Sequence, residues 1–135
     1  MQLMSFTEAQ RSMSKVVDQV EHGEMVMFSR RQARFVIMEV AEAREAYECC
    51  YSFHPEVFFG DDDGVSMWLP ELDLHGEGDS IEEAQSDLLE AVGEYLEDWR
   101  DELRRYPNHA SRRGWVRRLA MAEDEDDLRE IIFGS

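Results

Sequence analysis

The chain has 135 residues, 43% of them hydrophobic, and a formal net charge of −17. That length holds one ordinary domain or two very small ones, and the apolar fraction suits a folded core rather than global disorder. No run approaches the ~20 apolar residues that cross a bilayer. Met1–Phe6 is neither basic nor followed by an apolar core, so no secretion signal is expected and a cytoplasmic protein is the default.

The charge is uneven. Residues 1–40 carry five basic and five acidic groups, and residues 100–135 carry eight of each, so both ends are neutral. Residues 41–99 carry one basic and eighteen acidic groups, a net −17 that accounts for the whole imbalance. Such a middle repels nucleic acid and favours basic partners, whereas either end can approach a phosphate backbone.

In chain order, Gln2–Ser5 reads as a short apolar strand. Thr7 with Gln10 three residues later reads as a capping box that opens a helix. Ala9, Met13, Val16, Val17 and Val20 form its buried stripe, and Gly23 stops it. Met25–Phe28 and Phe35–Val40 read as strands joined by a loop from Ser29 to Arg34, and Ala41–Glu48 as a short helix.

This order resembles the Phd/YefM family of antitoxin DNA-binding domains over about residues 1–46. The residues that carry the resemblance are Ser5 and Glu8-Ala9 opening the helix, Val17 to Val20 along it, Gly23-Glu24 after it, and Ser29-Arg30-Arg31 in the hairpin. The family's arginine after Glu-Ala is displaced by one place, to Arg11, and its hairpin glycine is replaced by Gln32. The resemblance implies a dimer whose basic side chains grip operator DNA, with Arg11, Arg30 and Arg31 as contacts. Lys15 and Arg34 join them by proximity. Guanidinium groups hold phosphates in pairs of hydrogen bonds and can read guanine in the major groove. From the residues alone, solvated surface arginines are the alternative.

Cys49 and Cys50 are adjacent, which disfavours a disulfide within one chain, and they lack the C-x-x-C spacing of a zinc site. They read as free thiols at the start of a strand. Residues 50–64 read as a first strand and its turn: Tyr51, Phe53, Val57 and Phe59 share a parity, with Pro55 interrupting, which suits a bulge or edge position. Asp61-Asp62-Asp63-Gly64 is a charged turn with glycine supplying a positive φ. It lacks the alternating ligands of a calcium loop, so no metal is assigned. Val65, Met67 and Leu69 alternate with Ser66 and Trp68 in a second strand that Pro70 ends, and Leu72 and Leu74 resume the alternation. Gly76 and Gly78 allow unusual backbone angles. Ser80 and Glu83 form a capping box for a long helix whose stripe is Ile81, Ala84, Leu88, Ala91, Val92, Tyr95, Trp99 and Leu103.

Pro70-Glu71-Leu72 followed by Gly78-Asp79-Ser80-x-x-Glu83-Ala84, with a strand before and a long helix after, resembles the HicB family of antitoxins over roughly residues 50–105. Asp73-Leu74-His75 stands where that family usually has Pro-Gly-Cys. The resemblance implies a small sheet with a helix, like a truncated ribonuclease H fold, and no catalysis. His22, His54, His75 and His109 are scattered without a nucleophile or metal arrangement, so no catalytic residue and no cofactor is assigned.

The long helix is expected to reach Arg105, with Tyr106-Pro107-Asn108 breaking it. His109–Met121 then reads as a basic amphipathic helix, with Arg112, Arg113, Arg117 and Arg118 around Trp115, Val116 and Leu119. It can touch nucleic acid, lie on the acidic middle domain of its own dimer mate, or cap the sheet. An intramolecular role is favoured, because seven basic groups in 100–118 adjoin the acidic middle. After the acidic run Ala122–Asp127, the apolar residues Leu128, Ile131, Ile132 and Phe133 suit a segment that folds onto a partner or docks on its own dimer.

The sequence thus predicts an α+β chain in three parts. A strand-helix-strand-strand-helix dimerisation and DNA-binding module spans 1–48, a three-stranded antiparallel sheet on a long helix spans 49–106, and a helical tail spans 107–135. The two resemblances imply a type II antitoxin that neutralises a cognate toxin and represses its operon on operator DNA as a dimer or higher oligomer. Trp115, Leu128, Ile131, Ile132 and Phe133 are the candidate toxin contacts. Two rival readings stay open: an orphan DNA-binding regulator without a toxin, and an interaction module that binds no DNA.

Overall fold

The computed structural model describes residues 3–134. They divide into two compact units, Met1–Ala46 and Tyr47–Ser135. The architecture is α+β, with one three-stranded sheet in each unit.

In the first unit, β1 (Leu3–Ser5) lies parallel to β2 (Val26–Arg30), and β2 lies antiparallel to β3 (Ala33–Ile37). The crossover between β1 and β2 holds α1 (Phe6–Arg11) and α2 (Met13–Glu21). The expected cap moves by two residues: Ser5, not Thr7, caps α1, its hydroxyl accepting the Glu8 amide at 3.1 Å. Ser5-x-x-Glu8 satisfies the capping pattern with an acid in the first turn, which suits the helix dipole better than Gln10 does. Ser12 then leaves helical geometry, at φ −110° and ψ 26°, and divides the predicted helix in two. The stripe divides with it. Ala9, Val16 and Val20 are buried, whereas Met13 and Val17 are exposed. Val16, Val20 and Val26 form the core, with Met4 and Ile37 against it.

The hairpin is tighter than expected. Pairing continues to Arg30 opposite Ala33, leaving Arg31 and Gln32 alone in the turn, with Arg31 at a φ of 57°. The loop from Ser29 to Arg34 is therefore mostly strand, because an exposed ladder does not need apolar side chains. α3 (Val40–Cys50) is longer than predicted. It ends with Cys49 and Cys50, which are exposed free thiols on a helix rather than at the start of a strand.

In the second unit, β4 (Glu56–Phe59), β5 (Val65–Leu69) and β6 (Leu74–Gly78) form an antiparallel sheet in that order. Of residues 50–64, expected to hold the first strand and its turn, only Glu56–Phe59 is strand, because Pro55 cannot donate to a ladder and pairing begins just after it. At the acidic turn, Asp63 rather than Gly64 takes the positive φ, 63°, while Asp62 accepts the Gly64 amide at 3.3 Å. Leu72 is fully buried but sits in the turn before β6, outside the strand that was expected to include it.

α4 (Ile81–Asp101) begins as predicted: the Ser80 hydroxyl accepts the Glu83 amide at 3.2 Å, and Glu83 reaches back to the Asp79 amide at 2.7 Å. It lays Ala84, Leu88, Leu89, Val92 and Tyr95 into the core, while Ile81 is exposed. Gly76 and Gly78 serve close approach rather than unusual φ. A Cβ on Gly76 would meet the Ala84 carbonyl oxygen, and one on Gly78 would meet Glu83 and the Ala84 amide. The helix stops at Asp101, and 3-10 turns at Leu103–Arg105 and Pro107–Arg112 fill the predicted end of the helix and its break. α5 (Arg113–Ala120) and α6 (Glu125–Phe133) complete the unit, and Val116, Leu119 and Ile132 join the core beneath them.

Candidate functional site

The five basic residues singled out in the first unit are all exposed. Arg30, Arg31 and Arg34 share the β2–β3 hairpin: Arg30 ends β2, Arg31 makes the turn, and Arg34 pairs with Ser29. Because β1 runs parallel to β2 with Ser5 opposite Ser29, the first residue of α1 falls beside the hairpin. Phe6 carries the Arg30 guanidinium 4.8 Å from its ring centroid, and Phe28 bridges Phe6 to Phe35 with centroids 6.0 and 5.2 Å away. An aromatic support of this kind restrains an arginine without neutralising it. Among the described residues none of the five is paired with a carboxylate. Arg11 lies at the far end of α1 and Lys15 on α2, each on a different element from the hairpin arginines.

The tail candidates occupy a different setting. Trp115 on α5 is half-buried; its indole N–H donates to the Ser52 carbonyl at 3.1 Å, and its ring meets Tyr51 edge-on at 5.1 Å. Gly114 beside it is buried because the Tyr51 ring occupies the place of a Cβ. On α6, Ile132 is buried, while Leu128, Ile131 and Phe133 are half-buried against the core. Asp124 caps this helix through the Asp127 amide at 2.8 Å, and Arg129 reaches Gln85 of α4 at 3.1 Å. The apolar tail is thus seated on its own unit.

A family model described as PHD-like, "Antitoxin of toxin-antitoxin, RelE / RelB, TA system", matches residues 1–134. The chain belongs to this antitoxin family. The antitoxin also has the fold of a protein from Syntrophomonas wolfei subsp. wolfei, whose crystal structure is described as the antitoxin part of a candidate toxin/antitoxin system. The TM-score is 0.82 at 18% identity, over 98% of this chain and 97% of that one. At that identity the likeness concerns the fold alone. No curated protein matches the antitoxin.

The antitoxin uses two of its tail arginines in a way the sequence reading did not resolve. Arg112 donates to the Leu72 carbonyl at 3.1 Å and lies 3.3 Å from both the Tyr95 hydroxyl and His109 Nδ1, which are themselves 2.9 Å apart. Arg118 donates to the Tyr51 carbonyl. Arg112 ties the 3-10 turn to α4 and to the turn after β5, and Arg118 ties α5 to the segment before β4. The contacts go to carbonyls and a hydroxyl, not to the acidic side chains that the charge count suggested. For Arg112 the available signal was its place four and seven residues before Val116 and Leu119, on their side of the expected helix; Arg118, next to Leu119 in sequence, is off that side. Arg100, Arg104 and Arg117, by contrast, line an open cavity of about 570 Å³ floored by Leu96, Trp99 and Leu128.

Proposed function

We propose that this antitoxin neutralises a cognate toxin protein and represses its own operon by binding operator DNA as a dimer. In this reading residues 1–48 are a Phd/YefM-like DNA-binding module, 49–106 a HicB-like domain and 107–135 a tail seated on it. The observation that carries the reading is the unneutralised hairpin of Arg30, Arg31 and Arg34 braced on Phe6, in a chain whose family match runs over residues 1–134. A hairpin of this size places its guanidinium groups on phosphates or in a groove while the backbone stays rigid. Arg11 and Lys15 extend the basic surface. Leu3, Met13, Val17, Phe35 and Val36 are each at least 43% exposed, which leaves the first unit with apolar surface for a second copy to cover.

For the toxin, Leu128, Ile131 and Phe133 supply the apolar contacts that remain partly open on α6, while Ile132 and Trp115 hold α6 and α5 in place. The second unit carries eight arginines and 24 acidic residues, a net −16 suited to masking the basic, RNA-handling surface of a toxin. The protein acts in the cytoplasm and is not an enzyme.

An N-terminally tagged chain, purified from its native cells at moderate salt, tests the reading by mass spectrometry. A small basic protein co-purifying at near-equal amount supports it. A self-oligomer that binds operator DNA without any protein partner would replace it with an orphan regulator.

A further inference from the structure

The sheet of the second unit is wider than the helix that covers it. α4 packs over β6 and β5, so Met67 and Val65 on the inner face are buried. Their cross-strand neighbours on β4, Val57 and Phe59, belong to the same face yet are 39% and 71% exposed. Phe58 on the outer face is 53% exposed.

The backbone of β4 is open as well. The Gly60 amide donates to the Gly64 carbonyl at 2.8 Å, which makes that pair hydrogen-bonded across the turn. Alternation along an antiparallel ladder then turns the N–H and C=O groups of Phe58 and Glu56 towards β5. The groups of Val57 and Phe59 face the open edge. No lysine, no proline and no bulge guards Glu56–Phe59, and Glu56 at its start is the strand's one charged residue.

The flanks select the occupant. Glu56 stands at one end and Asp61-Asp62-Asp63 at the other, within a unit of net −16, eight arginines against 24 acids. A second copy paired antiparallel with apolar residues on one face sets Val57 opposite Phe59. That register brings Glu56 of each copy up to the acidic turn of the other, so like charges meet at both ends. The register centred on Val57 instead sets Pro55, which has no N–H, opposite Phe59. Charge complementarity favours a basic strand.

We propose that the open edge of β4 accepts an added strand from a basic partner protein. Its apolar residues cover Val57 and Phe59, and its lysines or arginines meet Glu56 and the Asp61–Asp63 turn. This is strand addition, in which the backbone supplies affinity and alternate side chains supply selectivity. It rests on the antitoxin reading, with the toxin as the partner, and it adds a contact surface apart from α6.

The test titrates the full-length antitoxin with the purified toxin encoded beside it, following affinity and hydrogen exchange at the Val57 and Phe59 amides. Val57→Pro removes an outward amide without touching the ladder to β5, and Phe59→Lys installs a guard on an exposed position. The expected result is slowed exchange at both amides on binding. Each variant should also lose roughly five- to tenfold in affinity, the scale of one hydrogen bond, with unchanged melting. Equal binding by both variants with unaltered exchange overturns the edge proposal and leaves the antitoxin reading standing. A toxin that fails to bind the unaltered chain overturns both. An oligomeric step of the antitoxin alone that either variant abolishes assigns the edge to a second copy and overturns the proposal.

Discussion

Gly76 of β6 lies directly beneath the Ala84 carbonyl of α4: a Cβ on Gly76 would stand 2.4 Å from that oxygen and 2.5 Å from the Leu88 amide nitrogen. Both obstacles are helix backbone, which has no rotamer to yield. Gly76→Ala should therefore push α4 off the sheet and cost about 2–3 kcal/mol. Gly93, on the same helix, has open space where its Cβ would be, and Gly93→Ala should raise stability by roughly 0.5–1 kcal/mol. Denaturant unfolding of the two variants checks the pair; equal effects would remove the close-packing argument.

Arg112, Tyr95 and His109 hold the 3-10 turn before α5 against α4 and the turn after β5. Replacing the guanidinium by an apolar chain of similar length, Arg112→Met, leaves the Leu72 carbonyl and the Tyr95 hydroxyl short of a donor. A loss of about 1.5–3 kcal/mol is expected. Arg113→Met, at an exposed position, should be within about 0.5 kcal/mol of the parent. Thermal or denaturant melts distinguish the two.

On operator DNA, each of Arg30→Ala, Arg31→Ala and Arg34→Ala should lower the slope of log affinity against log salt by about one, as expected for one lost phosphate contact. Phe6→Leu should weaken binding by a smaller factor while keeping the slope, because it loosens the support under Arg30 without removing a charge. Fluorescence anisotropy across a salt series separates these outcomes.

Within α6, burial predicts a division of labour. Ile132 is 3% exposed, and Ile132→Ala should cost roughly 2–4 kcal/mol of stability. Phe133→Ala, at a half-buried position, should weaken toxin inhibition more than it lowers the melting temperature. Inhibition assays beside melting curves read both quantities on the same variants.

Toxin affinity itself should fall as salt rises, since the net −16 of the second unit acts largely through exposed carboxylates. Calorimetric titration from low to high salt checks this, and an affinity that stayed flat would argue against charge masking.

Much of the second unit was legible because its signals were local. Ser80-x-x-Glu83 fixed the start of α4, and the alternation of Val65, Met67 and Leu69 placed β5 with its faces in the right sense. Where two local patterns compete, a short stretch of sequence does not decide between them. Thr7 and Ser5 both head a capping box, and only the position of β1 decides between them. Gly76 and Gly78 looked like turn residues because their true constraint, the backbone of α4, is remote in sequence. The break at Ser12 had no apolar or proline signal. The basic candidates could be named from the sequence, but their arrangement could not. That Phe6 lies beside Arg30 follows from the parallel pairing of β1 with β2, which no short window contains.

The uncovered β4 edge also bears on colloidal behaviour. An apolar strand with open backbone groups is a template for stacking one chain on the next, and mutual repulsion between acidic surfaces is what keeps such edges apart. That repulsion vanishes as the carboxylates are neutralised near the isoelectric point of about 4.4. The antitoxin without its partner should then cloud and pellet on mild acidification. Guarding the edge with Phe59→Lys, or occupying it with a bound strand, should delay that precipitation.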